Sequence, residues 1–237
     1  KAVMTYLGNP AEGEEPEAFA ARKALEETKD FGAALHGYPR NMSFELAILN
    51  HLAQNPGDYV GAIMTLPKNL QMMFVHAYQS FLFNKMMCER MRLGIPINEP
   101  IEGDVVLPVN KDGLPDHERW IEAKADNLET LKLRAREGKA FVSGVLFGWE
   151  STYASGEPGE IEMRVVEAEG LRHEMFMILQ VPKLGSKGSR REMVAPANGL
   201  KWSVADGAAT FEFSLNRGCY ATTLLREFMK MREMRDY

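Results

Sequence analysis

The sequence is poor in the residues that build disulfide-linked or metal-held scaffolds. Among its 237 residues there are two cysteines, Cys88 and Cys219, and five scattered histidines. The cysteines lie far apart in apolar surroundings, without a CxxC spacing and without a histidine at metal-ligand spacing. We therefore expect no metal site, and we expect both cysteines to be reduced thiols in the core.

Long apolar runs and the signatures of several enzyme classes are also missing. No segment approaches the roughly 18 to 20 consecutive apolar residues of a membrane span, and Lys1 to Met4 lack the apolar run of a secretion signal. We expect a cytoplasmic protein that does not enter a membrane. The patterns GxGxxG, GxxxxGK[ST], HExxH and GxSxG are absent. Nucleotide-cofactor, zinc-protease and serine-hydrolase functions therefore have no support.

The composition allows a substantial core and contains one strongly basic segment. Hydrophobic residues make up 45% of the chain, and the net charge is -5, which disfavours indiscriminate coating of nucleic acid. The segment from Lys183 to Arg191 nevertheless carries four positive charges and no negative one. It predicts a local contact with a polyanion, and a loop that happens to be basic is the alternative.

Hydrophobic periodicity and turn signals predict several helices. They are expected at 17–28, from Ser43 to the stop at Asn55-Pro56-Gly57, at about 69–93, at 116–136 and at 158–169. The helix at 69–93 is the longest. One apolar stripe is expected to form its buried face, and it consists of Leu70, Met73, Phe74, Ala77, Phe81 and Leu82.

Short strand-like runs dominate the second half and predict an α+β fold with a mixed or antiparallel sheet. Strands are expected at 105–107, 141–146, 192–195, 200–204 and 209–215. Asp206-Gly207 predicts a hairpin between the last two, and a helix should begin at about Tyr220. Its buried face should consist of Leu224, Leu225, Phe228 and Met229. The domain boundaries that we expect divide the chain into a helical section at 1–98, an α+β domain at 99–196, and a hairpin with a helix at 197–237.

The segment from Phe211 to Glu227 is the strongest candidate for a functional site. It predicts a strand, a glycine turn at Gly218 and the start of a helix. This arrangement places backbone N–H groups, Arg217 and the Tyr220 ring at a sheet edge, where an anionic, aromatic ligand such as a flipped nucleotide can bind. On spacing alone, a packing role for Tyr220 is the more common outcome.

The run from Asn216 to Glu227 resembles the C-terminal motif of the TruD family of tRNA pseudouridine synthases. Asn216 stands where the family often has proline, and Cys219 where it often has serine. The stretch 75–84 is similar to the family's marker on its long helix, and 187–191 resembles a basic turn of archaeal members. The residues of the first run that match the motif are Gly218, Tyr220, Ala221, Thr222, Arg226 and Glu227.

The resemblance implies an isomerase that converts one uridine of tRNA, by analogy U13, to pseudouridine without a cofactor. We expect a monomer whose partner is tRNA. The resemblance implies a base pocket formed by Gly218, Tyr220, Thr222 and Arg226. RNA phosphates would be bound by Lys183, Lys187, Arg190, Arg191 and Arg217. For Arg226 two roles stay open, pairing with a carboxylate in the pocket and holding the helix against the sheet.

The family's catalytic aspartate motif is not found in these residues, and neither is the segment that supplies its second aromatic wall. We expect both to lie upstream of Lys1, so no nucleophile is assigned. The resemblance also implies that 99–196 is the family's insertion domain and that the hairpin completes the sheet of a catalytic domain begun upstream. A non-catalytic RNA-binding relative or fragment is the main alternative. A structural interaction protein with an incidental basic loop is the second.

Overall fold

The chain has an α+β fold of helices and antiparallel sheets, as the sequence predicts. A computed structural model describes residues 2–216 and 218–230. The chain divides into two compact units, residues 1–77 and 78–237. The three-part division at residues 98 and 196 stays a prediction.

The first unit is helical and is built around a leucine-rich core. Tyr38 and Arg22 both donate to the carbonyl oxygen of Leu7, at 2.7 and 2.8 Å. Burial raises the pKa of Tyr38 to about 12. The helices predicted at 17–28 and from Ser43 are confirmed, since the structure has helices at Pro16–Thr28 and Ser43–Gln54. The helices are α1 (Ala2–Leu7), α2 (Pro16–Thr28), α3 (Phe31–Gly37), α4 (Ser43–Gln54), α5 (Tyr59–Met64) and the beginning of α6 (Lys68–Arg92).

The long helix α6 is confirmed, but the predicted buried face was wrong. Leu82 is fully buried, whereas Met73 and Phe81 are 56% and 46% exposed. Two of the buried side chains are polar or charged: Gln79 donates to the carbonyl of Phe147, and Arg90 forms a bidentate ion pair with Asp104. Apolar periodicity selected the wrong face because these two side chains are satisfied by partners outside the helix, Phe147 and Asp104. The buried positions of the helix are Gln71, Gln79, Leu82, Phe83, Met86 and Arg90.

A four-stranded antiparallel sheet forms the core of the second unit. Its strands, in spatial order, are β2 (Ile121–Glu122), β1 (Val105–Pro108), β3 (Ala140–Leu146) and β4 (Ser189–Glu192). Central strand β3 pairs with β1 through Val142 and Val106, and neither side chain is exposed. Burial along almost the whole strand explains its mostly apolar sequence, and the buried Ser143 hydroxyl in its middle donates to the carbonyl of Val105. The elements are β1 (Val105–Pro108), β2 (Ile121–Glu122), α7 (Leu128–Arg136), β3 (Ala140–Leu146), α8 (Gly156–Ala168) and β4 (Ser189–Glu192).

Two predicted elements of this unit need correction. The expected helix at 116–136 is restricted to its last part, because Ile121 and Glu122 pair with β1. The Asn127 side chain then accepts from Lys124 N and donates to the carbonyl of Glu122, which defines the turn before α7. The strand expected at 192–195 lies at Ser189–Glu192 instead. The prediction began too late because the basic residues Arg190 and Arg191 suggested a loop.

The hairpin and the last helix are confirmed, but they are far more exposed than the sheet. Asp206 and Gly207 both have positive φ, 51° and 75°, as a type I′ turn requires. Trp202 is 69% exposed, and no residue of the last helix is buried, so its predicted buried face was wrong for the described residues. The elements are β5 (Ala197–Ala205), β6 (Ala208–Leu215) and α9 (Ala221–Met229).

The prediction that both cysteines are core thiols was wrong. Cys88 is exposed and Cys219 is half-buried, and both are free. Within residues 2–216 and 218–230, no helix is long and apolar enough to cross a membrane.

Candidate functional site

The site lies at the bend that joins β6 to α9. Gly218 has φ of +92°, a left-handed conformation that costs most other residues energy, and this reverses the chain after the strand. Tyr220 then stands at the N-cap of α9 in an extended conformation. Its side chain is 71% exposed, so the ring is not a core residue.

An open cleft of about 300 Å³ adjoins the Tyr220 ring, and we call it the Tyr220 cleft. This volume is at the lower end of small-ligand pockets, which span roughly 300–1,000 Å³. Its walls are mostly apolar, with one guanidinium and one carboxylate. They are formed by Arg191, Met193, Ala195, Leu215, Cys219, Tyr220, Thr223, Leu224 and Glu227.

Sequence reasoning missed most of these lining residues, although one signal was available. Thr223, Leu224 and Glu227 follow Tyr220 by three, four and seven positions, the spacing that keeps residues on one helical face. Once Tyr220 is placed on the cleft, the helical period therefore predicts its three neighbours on α9. Arg191 was predicted for RNA binding, but no sequence signal connected it with Tyr220.

Three residues of the predicted base pocket, Gly218, Thr222 and Arg226, do not line the cleft. Thr222 and Arg226 are exposed side chains of α9, and neither lines the cleft around Tyr220. Among the described residues, the Arg226 guanidinium has no carboxylate within ion-pair distance. Arg217 lies outside the described residues. The predicted roles of Gly218, Thr222, Arg226 and Arg217 stay predictions.

The basic segment is less available for ligands than its charge suggests. Lys187 forms an ion pair of 3.0 Å with Glu150, and this hydrogen bond, followed by that from the Trp149 indole, holds the pKa of Glu150 below its usual value. Lys183 and Arg191 have no carboxylate within ion-pair distance in the described part of the chain. These two are the cations of the segment that an incoming anion can reach without displacing a partner.

Arg190 belongs to a buried network, and its expected place on an exposed loop was wrong. It is 9% exposed, and its Nη2 lies 2.6 Å from Glu162 Oε1. Its guanidinium also donates to the hydroxyl and carbonyl of Ser143 and to the carbonyl of Thr152. The Glu162 carboxylate in turn accepts from two backbone N–H groups. The guanidinium is thus occupied inside the fold, and a phosphate contact by Arg190 would require breaking this network.

The cleft can hold a flat, partly apolar group and can place an anion beside it. The Tyr220 ring offers an aromatic surface on which any nucleobase can stack, while the guanidinium of Arg191 offers a cation. Glu227 is paired with Lys230 at 3.0 Å, which compensates the negative charge at the rim. No cluster of three metal-ligating side chains is found in the part of the chain that the structure describes.

Comparison with known proteins shows the family. Residues 1–228 match the family described as tRNA pseudouridine synthase D (TruD). A crystal structure of a Methanosarcina mazei protein named as a tRNA pseudouridine synthase D superimposes with a TM-score of 0.89 and 38% identity, covering 97% of this chain and 54% of that one. The chain belongs to the tRNA pseudouridine synthase D family.

Archaeal relatives give the same result over almost the whole chain. A Methanosarcina acetivorans protein named probable tRNA pseudouridine synthase D is 39% identical over 98% of this chain and 54% of its own length. A Pyrococcus furiosus protein of the same name is 34% identical over 97% of this chain and 55% of its own length. The chain thus spans about half the length of the curated relatives it matches.

Proposed function

We propose that the full-length protein is a tRNA pseudouridine synthase and that the Tyr220 cleft holds the target uridine after it leaves its stack. The observation that carries this proposal is the exposed Tyr220 ring beside an open, largely apolar cleft. A flipped base loses its stacking neighbours, which costs a few kcal/mol. An aromatic wall replaces part of that stacking at the new position.

The shape of the cleft suits a base that has to turn. Uridine and pseudouridine contain the same atoms, and the glycosidic bond moves from N1 to C5 of the ring while a proton moves from C5 to N1. The detached base must therefore rotate without escaping. Apolar walls such as Met193, Leu215 and Leu224 confine the base without hydrogen bonds that fix one orientation. No cofactor is needed, because the reaction neither oxidises nor reduces the base.

The nucleophile is a separate part of the proposal, because no aspartate is among the described residues that line the Tyr220 cleft. We propose that it is an aspartate upstream of Lys1 and that the hairpin β5–β6 completes the sheet which carries it. The exposed apolar residues Trp202 and Val204, at 69% and 66%, support this proposal because packing against another element would bury them. Tyr220 remains the proposed base-pocket residue, and Gly218 forms the bend that precedes it. Lys183, Lys187 and Arg191 remain the proposed RNA contacts.

The test uses the full-length protein and a cognate tRNA transcript that carries uridine at position 13. We expect stoichiometric conversion of U13 without added cofactor, measured by chemical mapping of pseudouridine. The control is the variant in which the upstream aspartate is replaced by asparagine, which should bind the transcript without converting it.

Other outcomes separate the alternatives. Binding without conversion by the wild type would indicate a non-catalytic RNA-binding relative. Absence of any salt-dependent binding would indicate a structural protein with an incidental basic segment. Conversion at a different uridine would retain the reaction and reject U13.

A further inference from the structure

A second hollow adjoins the Tyr220 cleft. It has a volume of about 470 Å³, and its lining includes His117, Ser189, Arg191, Glu192 and Gly218. We call it the His117 hollow. Arg191 lines both hollows. At the bend between β6 and α9, Gly218 lines the His117 hollow, and the next residue, Cys219, lines the Tyr220 cleft. A ligand that enters the cleft can therefore extend into the second hollow past Arg191.

Strand β4, which lines this hollow, also presents backbone donors at the edge of the sheet. It is an edge strand of the four-stranded sheet. In an antiparallel strand, the backbone N–H and C=O groups of every second residue point to the neighbouring strand, and those of the residues between point away from it. Met193 N donates to the carbonyl of Val142 at 2.9 Å, so the backbone of Arg191, two positions earlier, also faces β3. The N–H groups of Arg190 and Glu192 consequently point away from β3, to the open edge of the sheet. Ser189 contributes a hydroxyl at the exposed beginning of the strand.

The charge in the hollow is favourable to an anion. Arg191 has no carboxylate within ion-pair distance among the described residues. Its guanidinium can therefore bind an anion without first losing another partner. Glu192 is the acid in the lining, and its Oε2 lies 2.8 Å from Nε2 of His117. The Glu192 carboxylate thus has its partner in His117, and no ion pair joins it to Arg191 in the described part of the chain.

We propose that the His117 hollow binds an RNA phosphate adjacent to the target uridine, with Arg191 as its anchor. This inference rests on the proposed function, because it places the uracil base in the Tyr220 cleft. In a nucleotide, one ribose separates the base from an adjacent phosphate. The two hollows are likewise adjacent, with Arg191 lining both. A guanidinium forms a bidentate contact with phosphate, so Arg191 fixes where the nucleotide enters while the Tyr220 ring holds the base.

The experiment removes the charge of single phosphates. Full-length protein is titrated with the tRNA, unmodified or with a neutral methylphosphonate at the phosphate on the 5′ or the 3′ side of the target uridine. For the wild type, we expect one of the two replacements to weaken binding about tenfold, the loss of a charge-assisted contact. The position that responds identifies which phosphate occupies the hollow.

The variant Arg191→Ala tests whether this residue receives the phosphate. It should bind unmodified tRNA about tenfold more weakly and should no longer distinguish the methylphosphonate from the natural linkage. Arg191→Gln serves as a second variant that keeps most of the side-chain packing. The matched control is Arg172→Ala, because the Arg172 side chain is 75% exposed and lines neither hollow. It should keep the wild-type response.

Failure of the subsite and failure of the proposed function give different results. If the wild type converts the uridine but tolerates both methylphosphonates, or if Arg191→Ala retains the full penalty, the subsite is rejected and the function stands. If the wild type forms no pseudouridine in unmodified tRNA, the proposed function is rejected and the subsite with it.

Discussion

The four-stranded sheet and the hairpin β5–β6 belong to the same unit and differ sharply in how they are held. The sheet buries apolar side chains on its central strand and an ion pair, Arg190–Glu162, beside it. The hairpin exposes Trp202 and Val204, and its ion pair, Lys201–Glu212, is surface-exposed. Local opening should therefore cost little in the hairpin and approach the global free energy of unfolding in the sheet. The Tyr220 cleft lies where these regions meet, with β4 on one side and β6 and α9 on the other.

The ion pairs should show the largest difference between the two regions. Arg190→Ala leaves the Glu162 carboxylate buried without its cation, and we expect it to destabilise the chain by about 3–5 kcal/mol. Lys201→Ala removes the cation of the exposed pair and should not change stability measurably. Urea unfolding followed by tryptophan fluorescence gives both values, and equal midpoints would contradict the comparison.

Replacing one valine by alanine in each region should give a smaller difference in unfolding free energy. Val142 on β3 is fully buried, so Val142→Ala should cost about 2 kcal/mol from lost burial and the cavity left behind. Val204 on β5 is 66% exposed, and in the 237-residue chain on its own Val204→Ala should change the unfolding free energy by less than about 0.5 kcal/mol. A large loss at Val204 would show that the hairpin face is covered in solution.

The hairpin turn should give the smallest effect. Gly207→Ala places a side chain at φ of +75°, which costs about 1–2 kcal/mol locally. Because the hairpin contributes little to the sheet, amide exchange should accelerate in β5 and β6 and stay unchanged in β3. Hydrogen exchange resolved by residue measures this, and equal acceleration in β3 would reject the separation of the two regions.

Sequence patterns predicted the hairpin more reliably than the sheet, although the sheet is the more buried of the two regions. The hairpin could be predicted from the alternation of apolar and polar residues and from the turn sequence Asp206-Gly207, both of which are local signals. Strand β4 was misplaced because Arg190 looks like a loop residue until its partner Glu162 is known, and that partner is distant in sequence. The face of α6 was wrong for a related reason, since the buried Gln79 and Arg90 are satisfied by residues outside the helix, Phe147 and Asp104.

The candidate site shows the same limit. The glycine bend and the place of Tyr220 at the start of α9 could be predicted from a short motif. The opposite wall could not, because Arg191 and Met193 reach the cleft only through the pairing of β4 with β3. Motif resemblance also grouped Thr222 and Arg226 with Tyr220, although their side chains lie on another part of the helix surface.

Replacing Tyr220 in the full-length protein tests the central claim most directly, that its exposed ring holds a flipped uridine. Stacking of a base on an aromatic ring contributes about 1–3 kcal/mol, and we expect Tyr220→Ala to lower single-turnover pseudouridine formation by roughly tenfold or more. The tRNA dissociation constant should change by less than about threefold, because phosphate contacts supply most of the affinity. Tyr220→Phe keeps the ring and should retain most of the rate. An unchanged rate in Tyr220→Ala would reduce this residue to a surface side chain and would contradict the role proposed for the cleft.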